Sequence, residues 1–407
     1  MSIFHRFLTG LQDAAYIWRE EMKQVFKDEG VLIFFIIVPL VYPLLYSWIY
    51  NNEVVHKVPV VVVDHSHSGL SRELIRKLDA SADVKIFCHA ADMDEARSLV
   101  SRQLVKGIYY IPSDFATRLN RMEQATLSVY CDMSLMLSYK AIYQTAVNVT
   151  QYMGAEIQKK LSGKYTVREE QIQTRPLDYQ DVPMFNPQGG YGTFVIPAVL
   201  MLIFQQTLVL GIGLGAGTAR EKSPYGDLVP IHPAYGGIYR IVCGKALCYS
   251  MIYMVMGAYL TMVVPRIFSF VAMVKAWDLF CLMLPYLLAC VFFGMTVSCL
   301  VRYRENVMLL MVFISLPLLF LTGVSWPQSA IPGVWQGVSW LFPSTFGARA
   351  FVRMNTMGAT LGDVTTELRV LWIQAAFYFG MACLVYGHQL RESRRHAAES
   401  LSAVADE

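Results

Sequence analysis

Residues 31–50 read VLIFFIIVPLVYPLLYSWIY, and this stretch decides the fold. It contains no charged side chain, and as a helix rising 1.5 Å per residue it is about 30 Å long, the thickness of a bilayer's hydrocarbon core. Tyr46, Trp48 and Tyr50 end the run with aromatic side chains that suit a membrane interface. A charged stretch precedes the run and no small-residue cleavage site follows it. The run is therefore predicted to be a membrane anchor rather than a cleaved signal.

Five similar apolar runs follow along the chain. They cover residues 194–217, 243–264, 279–301, 307–323 and 370–389. The whole chain agrees with a membrane protein, since 55% of its residues are hydrophobic and only 16% are charged, where soluble domains carry about 25%. Irregular backbone cannot face lipid, so each run is predicted to be a helix. The predicted fold is an α-helical polytopic membrane protein with six transmembrane helices.

Residues 51–193 differ from the rest because charges return and short β-branched runs alternate with polar helical patterns. Strands are predicted at residues 58–63, 84–87, 107–111 and 127–130, and helices at 70–78, 93–102 and 114–122. This alternation indicates an inserted α/β domain. A longer helical pattern at residues 134–161 is predicted to form a stalk. Cys88 and Cys131 lie in this region, where either a disulfide or two free thiols is open.

The remaining segments flank the spans. Residues 1–30 contain an amphipathic helical pattern with Trp18, interpreted as a helix on the membrane surface, with an ordinary solvated helix as the alternative. Residues 324–369 are rich in Pro and Trp and are predicted to form one or two short re-entrant or interfacial helices at the outer face. Residues 390–407 form a polar tail that is expected to fray.

Basic residues give the orientation of the spans. The short loops that hold Arg19, Arg220, Arg240, Arg304 and Arg394 are richer in Lys and Arg than the loops on the other side. The positive-inside rule therefore predicts that both termini are cytoplasmic and that the α/β domain is extracytoplasmic. The formal net charge of +3 is too small to indicate a nucleic-acid partner.

Motifs for nucleotide or hydrolytic chemistry do not occur in the sequence. No stretch matches G-x-x-x-x-G-K-[ST], H-E-x-x-H or G-x-S-x-G. No catalytic residue and no bound cofactor are therefore predicted. His65 and His67 (DHSHSG) would need a third ligand to hold a metal, and a solvated loop is favoured over a metal site.

The six runs also contain no Asp, Glu or Arg, and their one Lys is Lys245 at the edge of the third, where it is predicted to snorkel towards water. Ion-coupled carriers keep buried acids or bases, so this class is disfavoured and the energy for any transport must come from elsewhere. A motif of small residues, GIGLGAG, closes the second span. It contains the candidates for helix packing or a subunit contact, Gly211, Gly213, Gly215 and Gly217.

Four stretches resemble the permease subunits of ABC-2 type exporters, in the branch with a large external domain after the first span. Residues 18–40 (WREEMKQVFKDEGVLIFFIIVPL) resemble the family's opening, and residues 58–81 (VPVVVVDHSHSGLSRELIRKLDAS) the start of its external domain. Residues 219–247 (AREKSPYGDLVPIHPAYGGIYRIVCGKAL) resemble the loop that contacts the ATPase. Residues 317–352 (PLLFLTGVSWPQSAIPGVWQGVSWLFPSTFGARAFV) resemble the outer hairpin region.

The resemblance implies a cytoplasmic coupling loop at residues 218–242, with a short coupling helix at about 226–239. Its candidate contacts with a separate ATPase are Arg220, Glu221, Lys222, Asp227, Tyr235 and Arg240. Pro230 and Pro233 depart from the family pattern because they interrupt that helix. The outer hairpin supplies candidate gate residues, which are Trp326, Pro327, Pro332, Trp335 and Pro343.

The resemblance also implies a function. The chain is expected to be the non-enzymatic permease subunit of an ATP-driven exporter in a bacterial inner membrane, with ATP and Mg²⁺ bound by the partner ATPase. A second permease copy, identical or related, is implied. A periplasmic adaptor or the substrate would contact the α/β domain. Apolar spans with aromatic ends suit an amphipathic substrate, and the alternative function is a membrane scaffold without a transport cycle.

Overall fold

The computed structural model describes residues 3–51, 53–121, 123–162, 184–186 and 189–405. The chain forms two compact units. The membrane unit is Met1–Asn51 with Met184–Glu407, and the α/β unit is Asn52–Pro183. In chain order the helices are α1 (Ile3–Lys27), α2 (Glu29–Ile49), α3 (Gly69–Asp79), α4 (Met93–Ser101), α5 (Phe115–Asn120), α6 (Met136–Ser162), α7 (Tyr191–Lys222), α8 (Ile238–Ile267), α9 (Ala276–Leu300), α10 (Arg304–Leu321), α11 (Gly333–Ser339), α12 (Pro343–Met357) and α13 (Thr365–Ala405).

Six helices of the described chain are long and apolar enough to cross a membrane, namely α2, α7, α8, α9, α10 and α13. The prediction of six membrane helices is confirmed. α7 is the central one, with 89% of its apolar window buried inside the protein. The others pack around it and leave large apolar side chains on the outer surface of the bundle. Such a surface suits lipid, which forms the apolar solvent of a membrane protein.

Two helices run further than the apolar runs predicted. α7 continues through Arg220 to Lys222, and α13 continues through the polar tail to Ala405. The expectation of a frayed tail is wrong for residues 390–405. Contacts hold this part of α13, since Ser393 is buried and His396 pairs with Asp227.

The glycines of the GIGLGAG motif face other helices of the same chain. A Cβ atom on Gly211 would overlap the ring of Phe35 in α2, and one on Gly213 would lie 2.5 Å from Val307 in α10. Val31 and Arg304 face the other two, Gly215 and Gly217. Small residues therefore let α2 and α10 approach the backbone of α7. Of the two predicted roles, the structure assigns these glycines to helix packing within the chain.

The segment between α10 and α13, predicted to form one or two short re-entrant or interfacial helices, contains two helices, and the second packs into the core. It contains a 3₁₀ turn (Gln328–Ala330), α11 and the 15-residue α12. α12 buries Ala348, Phe351 and Met354 completely. The candidate gate residues separate accordingly, because Trp326 and Trp335 are exposed while Pro343 is buried in the first turn of α12. Pro327 and Pro332 precede the 3₁₀ turn and α11.

The α/β unit is built on a four-stranded sheet. Its strands are β1 (Val58–Asp64), β2 (Val84–Ala90), β3 (Gly107–Ile111) and β4 (Ser128–Cys131). Their order is β2-β1-β3-β4, with β1 parallel to β2 and β3, and β4 antiparallel to β3. Alternate side chains of β1 pack on opposite faces. Val60 and Val62 join a core with Leu74 of α3, whereas Val61 and Val63 join a core on the other face.

α6 is a layer of this α/β unit. Ile142, Ala146 and Met153 are buried in the core that contains Val60, and Tyr109 donates a hydrogen bond of 2.9 Å to the Ile142 carbonyl. The long helix predicted at residues 134–161 is present, and residues 136–160 of it pack on the sheet. The sheet needs a cover on the face that α3 only partly occupies, and the apolar stripe of α6 provides it.

The sheet answers the question of whether Cys88 and Cys131 form a disulfide. Cys88 on β2 and Cys131 on β4 lie at opposite edges, three strand spacings or about 14 Å apart, beyond the roughly 7 Å limit between the Cα atoms of a disulfide. Both are free thiols, and burial raises the pKa of Cys131 to about 11. The DHSHSG stretch is a turn in which Asp64 accepts hydrogen bonds from the Ser66 and His67 amides.

Gly211→Ala is expected to destabilise the membrane unit, because its new methyl group overlaps the Phe35 ring. Overpacking of this kind costs about 1–3 kcal/mol of unfolding free energy, so the thermal unfolding midpoint in detergent should fall. Gly380→Ala on α13 is the matched control, since a Cβ there meets no atom within 4 Å. Equal midpoints for the two variants would contradict the assigned packing role.

Candidate functional site

The loop of residues 223–237 joins α7 to α8, at the end of the bundle where α1 and the last part of α13 also lie. We call this end the basic end, after Arg220, Arg240, Arg304 and Arg394. The loop contains one 3₁₀ turn, Pro233–Tyr235, and no α-helix. The predicted coupling helix at 226–239 is therefore wrong up to Ile238, where α8 begins. Pro230 and Pro233 explain this, because each lacks an amide hydrogen for a helical bond.

α1 crosses α8 at a small residue. A Cβ atom on Gly244 would lie 2.8 Å from the Ala14 carbonyl oxygen, so only glycine permits this approach. Ile17 and Val25 are buried on this side of α1. The apolar stripe of α1 is thus used for packing against protein, while Leu11 and Phe26 remain exposed on other faces. A membrane-surface position for those exposed residues stays a prediction.

A buried ion pair locks the same two helices. Lys245 of α8 donates to Glu21 of α1 at 2.5 Å, and the Tyr249 hydroxyl donates to the other carboxylate oxygen of Glu21. Both charged side chains are about 6% exposed. Lys245 therefore does not snorkel to water as the sequence suggested. A buried pair needs several hydrogen bonds to offset the desolvation of its charges, and Tyr249 supplies one.

Asp28 joins three helices at the same end. Its carboxylate accepts hydrogen bonds from the Gly30 and Val31 amides, which caps α2. It also accepts from Thr218 of α7 at 2.5 Å and from Arg304 of α10 at 3.0 Å. Burial raises the pKa of Asp28, but hydrogen bonds from Thr218 and Val31 and the charge of Arg304 outweigh it, so the pKa falls below 3.8. The ionised Asp28 carboxylate therefore stabilises the folded protein. This contribution is complete above the usual carboxyl pKa and is lost as the pH falls through the lowered pKa of Asp28.

Arg220 is a structural link rather than a surface group. It donates to the carbonyls of Val301 at 2.8 Å and Cys299 at 2.9 Å, at the end of α9. It also reaches Gln389 of α13 at 3.4 Å. These carbonyls have no helical partner beyond Leu300, and the guanidinium satisfies them. The side chain is buried, so it is not available to another protein.

Three other predicted contact residues also interact with residues of the same chain. Asp227 lies 3.0 Å from the ring of His396, and Arg240 forms an ion pair with Asp13. Tyr235 is buried, and burial, followed by the charge of Glu21, raises its pKa. Of the six candidate coupling residues, Glu221 and Lys222 alone are exposed.

The exposed surface of the loop and the start of α8 is formed by large side chains that the sequence analysis did not single out. Ile231 is 66% exposed and Tyr239 is 69% exposed, with Tyr225 also at the surface. Two of the loop's rings are held by stacking, His232 on Tyr16 of α1 and Tyr225 on His396 of α13. The available signal was the position of Ile231 between Pro230 and Pro233, which keep it out of a helix.

A cavity of about 430 Å³ lies behind the loop, between α1, α2, α7 and the start of α8. Its walls include Glu21, Asp28, Thr218, Lys222 and Tyr235. The loop borders this cavity and also packs into the core of the membrane unit through the buried Leu228 and Val229. Contacts to α1 and α13 hold it in place.

The Glu21–Lys245 pair can be tested by a double-mutant cycle. Glu21→Gln or Lys245→Met alone leaves one buried charge without its partner and is expected to cost about 3–5 kcal/mol of unfolding free energy. The double variant removes both charges and should recover most of that loss. Denaturant unfolding of the purified chain measures the four proteins. Additive losses in the double variant would contradict a coupled buried pair.

Comparison with known proteins agrees with this architecture. The model of the family described as ABC-2 family transporter protein matches residues 30–384. The probable multidrug ABC transporter permease YbhR of Escherichia coli K12 is 21% identical over 346 residues, covering 84% of this chain and 87% of YbhR. YbhR of Escherichia coli O157:H7 matches to the same extent. The family match begins at Gly30, the second residue of α2, and ends within α13. The chain belongs to the ABC-2 family of transporter proteins and is a multi-pass membrane permease subunit.

Proposed function

We propose that this chain is the permease subunit of an ATP-driven exporter and that a separate ATPase subunit docks on its basic end. Family membership supports a transporter, and the sequence has no nucleotide-binding P-loop of its own. The conformational change driven by ATP must then be transmitted to this chain through a surface that the partner subunit contacts. The 223–237 loop is the surface that best fits this requirement.

One observation carries the proposal. The 223–237 loop presents Tyr225 and Ile231 outward while contacts from two sides hold it. On one side Tyr16 of α1 stacks on His232 at 4.8 Å. On the other side Arg394 of α13 donates to the Gly236 carbonyl at 3.1 Å. Tyrosine is enriched at binding hot spots, and the exposed Ile231 adds apolar area that a partner can bury.

The set of residues proposed to contact the ATPase therefore changes. Glu221 and Lys222 remain as peripheral contacts, with Tyr225, Ile231 and Tyr239 as the apolar centre of the docking surface. Arg220, Asp227, Tyr235 and Arg240 act within the chain. Arg220 joins α7 to the end of α9 and to α13, Asp227 joins the loop to α13, and Arg240 joins the start of α8 to α1, so displacements of the loop reach these helices.

The proposed orientation in the membrane and the proposed partners follow from the docking surface. The basic end faces the cytoplasm, which places the α/β unit outside a bacterial inner membrane. A second permease copy completes the transporter, and an adaptor or the substrate contacts the α/β unit. The substrate class is amphipathic. The similar protein YbhR is described as a probable multidrug permease, and this is in keeping with amphipathic cargo.

Ile231→Asp is expected to lower ATPase co-purification at least tenfold, because it puts a charge at the centre of an apolar contact worth about 1.5–3 kcal/mol. Val334→Asp is the matched control, since Val334 is 80% exposed on α11, away from the basic end. Thermal unfolding checks that both variants are folded. Normal co-purification with Ile231→Asp would refute docking on the loop. ATPase binding without nucleotide-driven export would favour the membrane scaffold.

Orientation is tested by labelling intact cells with a membrane-impermeant maleimide, after the accessible native cysteines are replaced by serine. A cysteine at the exposed Arg72 position of α3 should react in intact cells. A cysteine at Ile231 should react only after the membrane is opened. The reverse pattern would invert the proposed orientation and remove the cytoplasmic ATPase contact.

A further inference from the structure

A polar site lies inside the membrane unit, where the segment between α11 and α12 turns. We call residues 340–345 the tip. It contacts Gln205 of α7 and two residues of α13, Gln374 and Tyr378. Gln205 lies about 21 Å along α7 from Tyr191, at 1.5 Å per residue, so the tip reaches the middle of a membrane-spanning helix.

Side chains from the spans satisfy the backbone of the tip. Gln374 Nε2 donates to the Trp340 carbonyl at 2.6 Å, and the Tyr378 hydroxyl donates to the Leu341 carbonyl. Gln205 Oε1 accepts the Ser344 amide at 2.6 Å. Non-helical backbone at this depth is tolerated only when protein groups satisfy it, and these three residues do so.

Three polar atoms at the tip nevertheless have no partner. They are Ser344 Oγ, Thr345 Oγ1 and Gln374 Oε1. Ser344 and Thr345 are 0% exposed, and Gln374 is 6% exposed. An unsatisfied buried polar atom costs about 1–3 kcal/mol, so three of them at one place call for an explanation.

The tip is also the start of α12. Phe342, its N-cap, makes no side-chain hydrogen bond, and Pro343 occupies the first turn. The amide of Ser344 therefore depends on Gln205 for its acceptor. A helix N-terminus carries partial positive charge and binds acceptor oxygens. Gln205 Oε1 occupies the position that such an oxygen from a ligand would take.

We propose that the tip binds an acceptor oxygen of the transported amphipathic molecule, a carbonyl or carboxylate, and that Gln205 is the internal group this oxygen displaces. Ser344 and Thr345 donate their hydroxyls to the same oxygen. The rings of Trp340, Phe342 and Phe346 around the tip contact the apolar body of the molecule. This inference rests on the proposed export function for its substrate class.

The charge preference follows from the groups present. The tip offers hydroxyl donors, a backbone amide and the positive end of α12, and its own side chains are all uncharged. A carboxylate or carbonyl is stabilised there, whereas a quaternary ammonium finds no carboxylate partner among the tip residues. Selection is therefore for acceptor oxygen and against a cationic head group.

Two fluorescent probes with one apolar body test this preference. Pyrenebutyrate carries a carboxylate, and pyrenebutyl-trimethylammonium carries a cation. Binding is measured on the full chain with its ATPase in lipid nanodiscs, with empty nanodiscs subtracted. Pyrenebutyrate should bind at least tenfold more tightly than the ammonium probe. Equal binding of the two would overturn the proposal.

Variants of the tip separate a ligand role from a structural one, because their effects have opposite signs. Ser344→Ala with Thr345→Val should weaken pyrenebutyrate binding about three- to tenfold, the effect of losing one or two hydrogen bonds. Gln205→Ala removes the internal acceptor and should tighten it by about threefold or more. Gln205→Glu supplies a stronger internal acceptor and should weaken it. If both Gln205 variants weaken binding, Gln205 is only structural and the proposal fails.

Ser315→Ala is the control, because the Ser315 hydroxyl donates to the Val312 carbonyl of its own helix. It should leave binding unchanged. If the ATPase does not associate with the chain but the opposite effects of the Gln205 variants persist, the export function falls and the tip site stands. If the ATPase associates and drives export but the tip variants have no effect, the tip site alone falls.

Discussion

Every backbone amide and carbonyl that enters a bilayer must find a hydrogen-bond partner within the protein, and the structure of the membrane unit depends on this constraint. Six helices satisfy this constraint with their own backbone hydrogen bonds. At helix ends, the backbone groups that have no helical partner are satisfied by side chains. Examples are Arg220 at the end of α9, Asp28 at the start of α2 and Gln205 at the start of α12. These side chains also join the helices, so the groups that satisfy the backbone are the groups that set the packing.

The basic end shows how charge is used beside the membrane. The pairs of Glu21 with Lys245 and of Asp28 with Arg304 connect α1 and α2 to later helices of the chain. Breaking one partner of a buried pair is far more costly than never forming it. α1 is consequently an integral part of the bundle, and its contacts to the 223–237 loop are carried by a fixed element.

Sequence patterns were sufficient to predict the features of the fold that depend on local composition. Uncharged runs of membrane length gave the six spans, because lipid admits few alternatives. They were insufficient where the partner is distant in sequence. Lys245 was expected to reach water because no residue near it in the sequence indicates its partner Glu21. Arg220 was expected at a surface because the carbonyls it binds lie at the end of α9, far along the chain. Pro230 and Pro233 already argued against the coupling helix that the resemblance implied. No sequence pattern indicated the tip, since Gln205 and Ser344 lie 139 positions apart.

α13 runs unbroken from Thr365 to Ala405. One part of it holds the tip through Gln374 and Tyr378, and another holds the 223–237 loop through Arg394 and His396. These two sets of contacts lie about 30 Å apart along a single rod, at 1.5 Å per residue. An α-helix resists compression along its axis, so a displacement of the loop along that axis would move the contacts at the tip with it. One continuous helix thereby joins the basic end of the bundle to a polar site at the middle of the membrane unit.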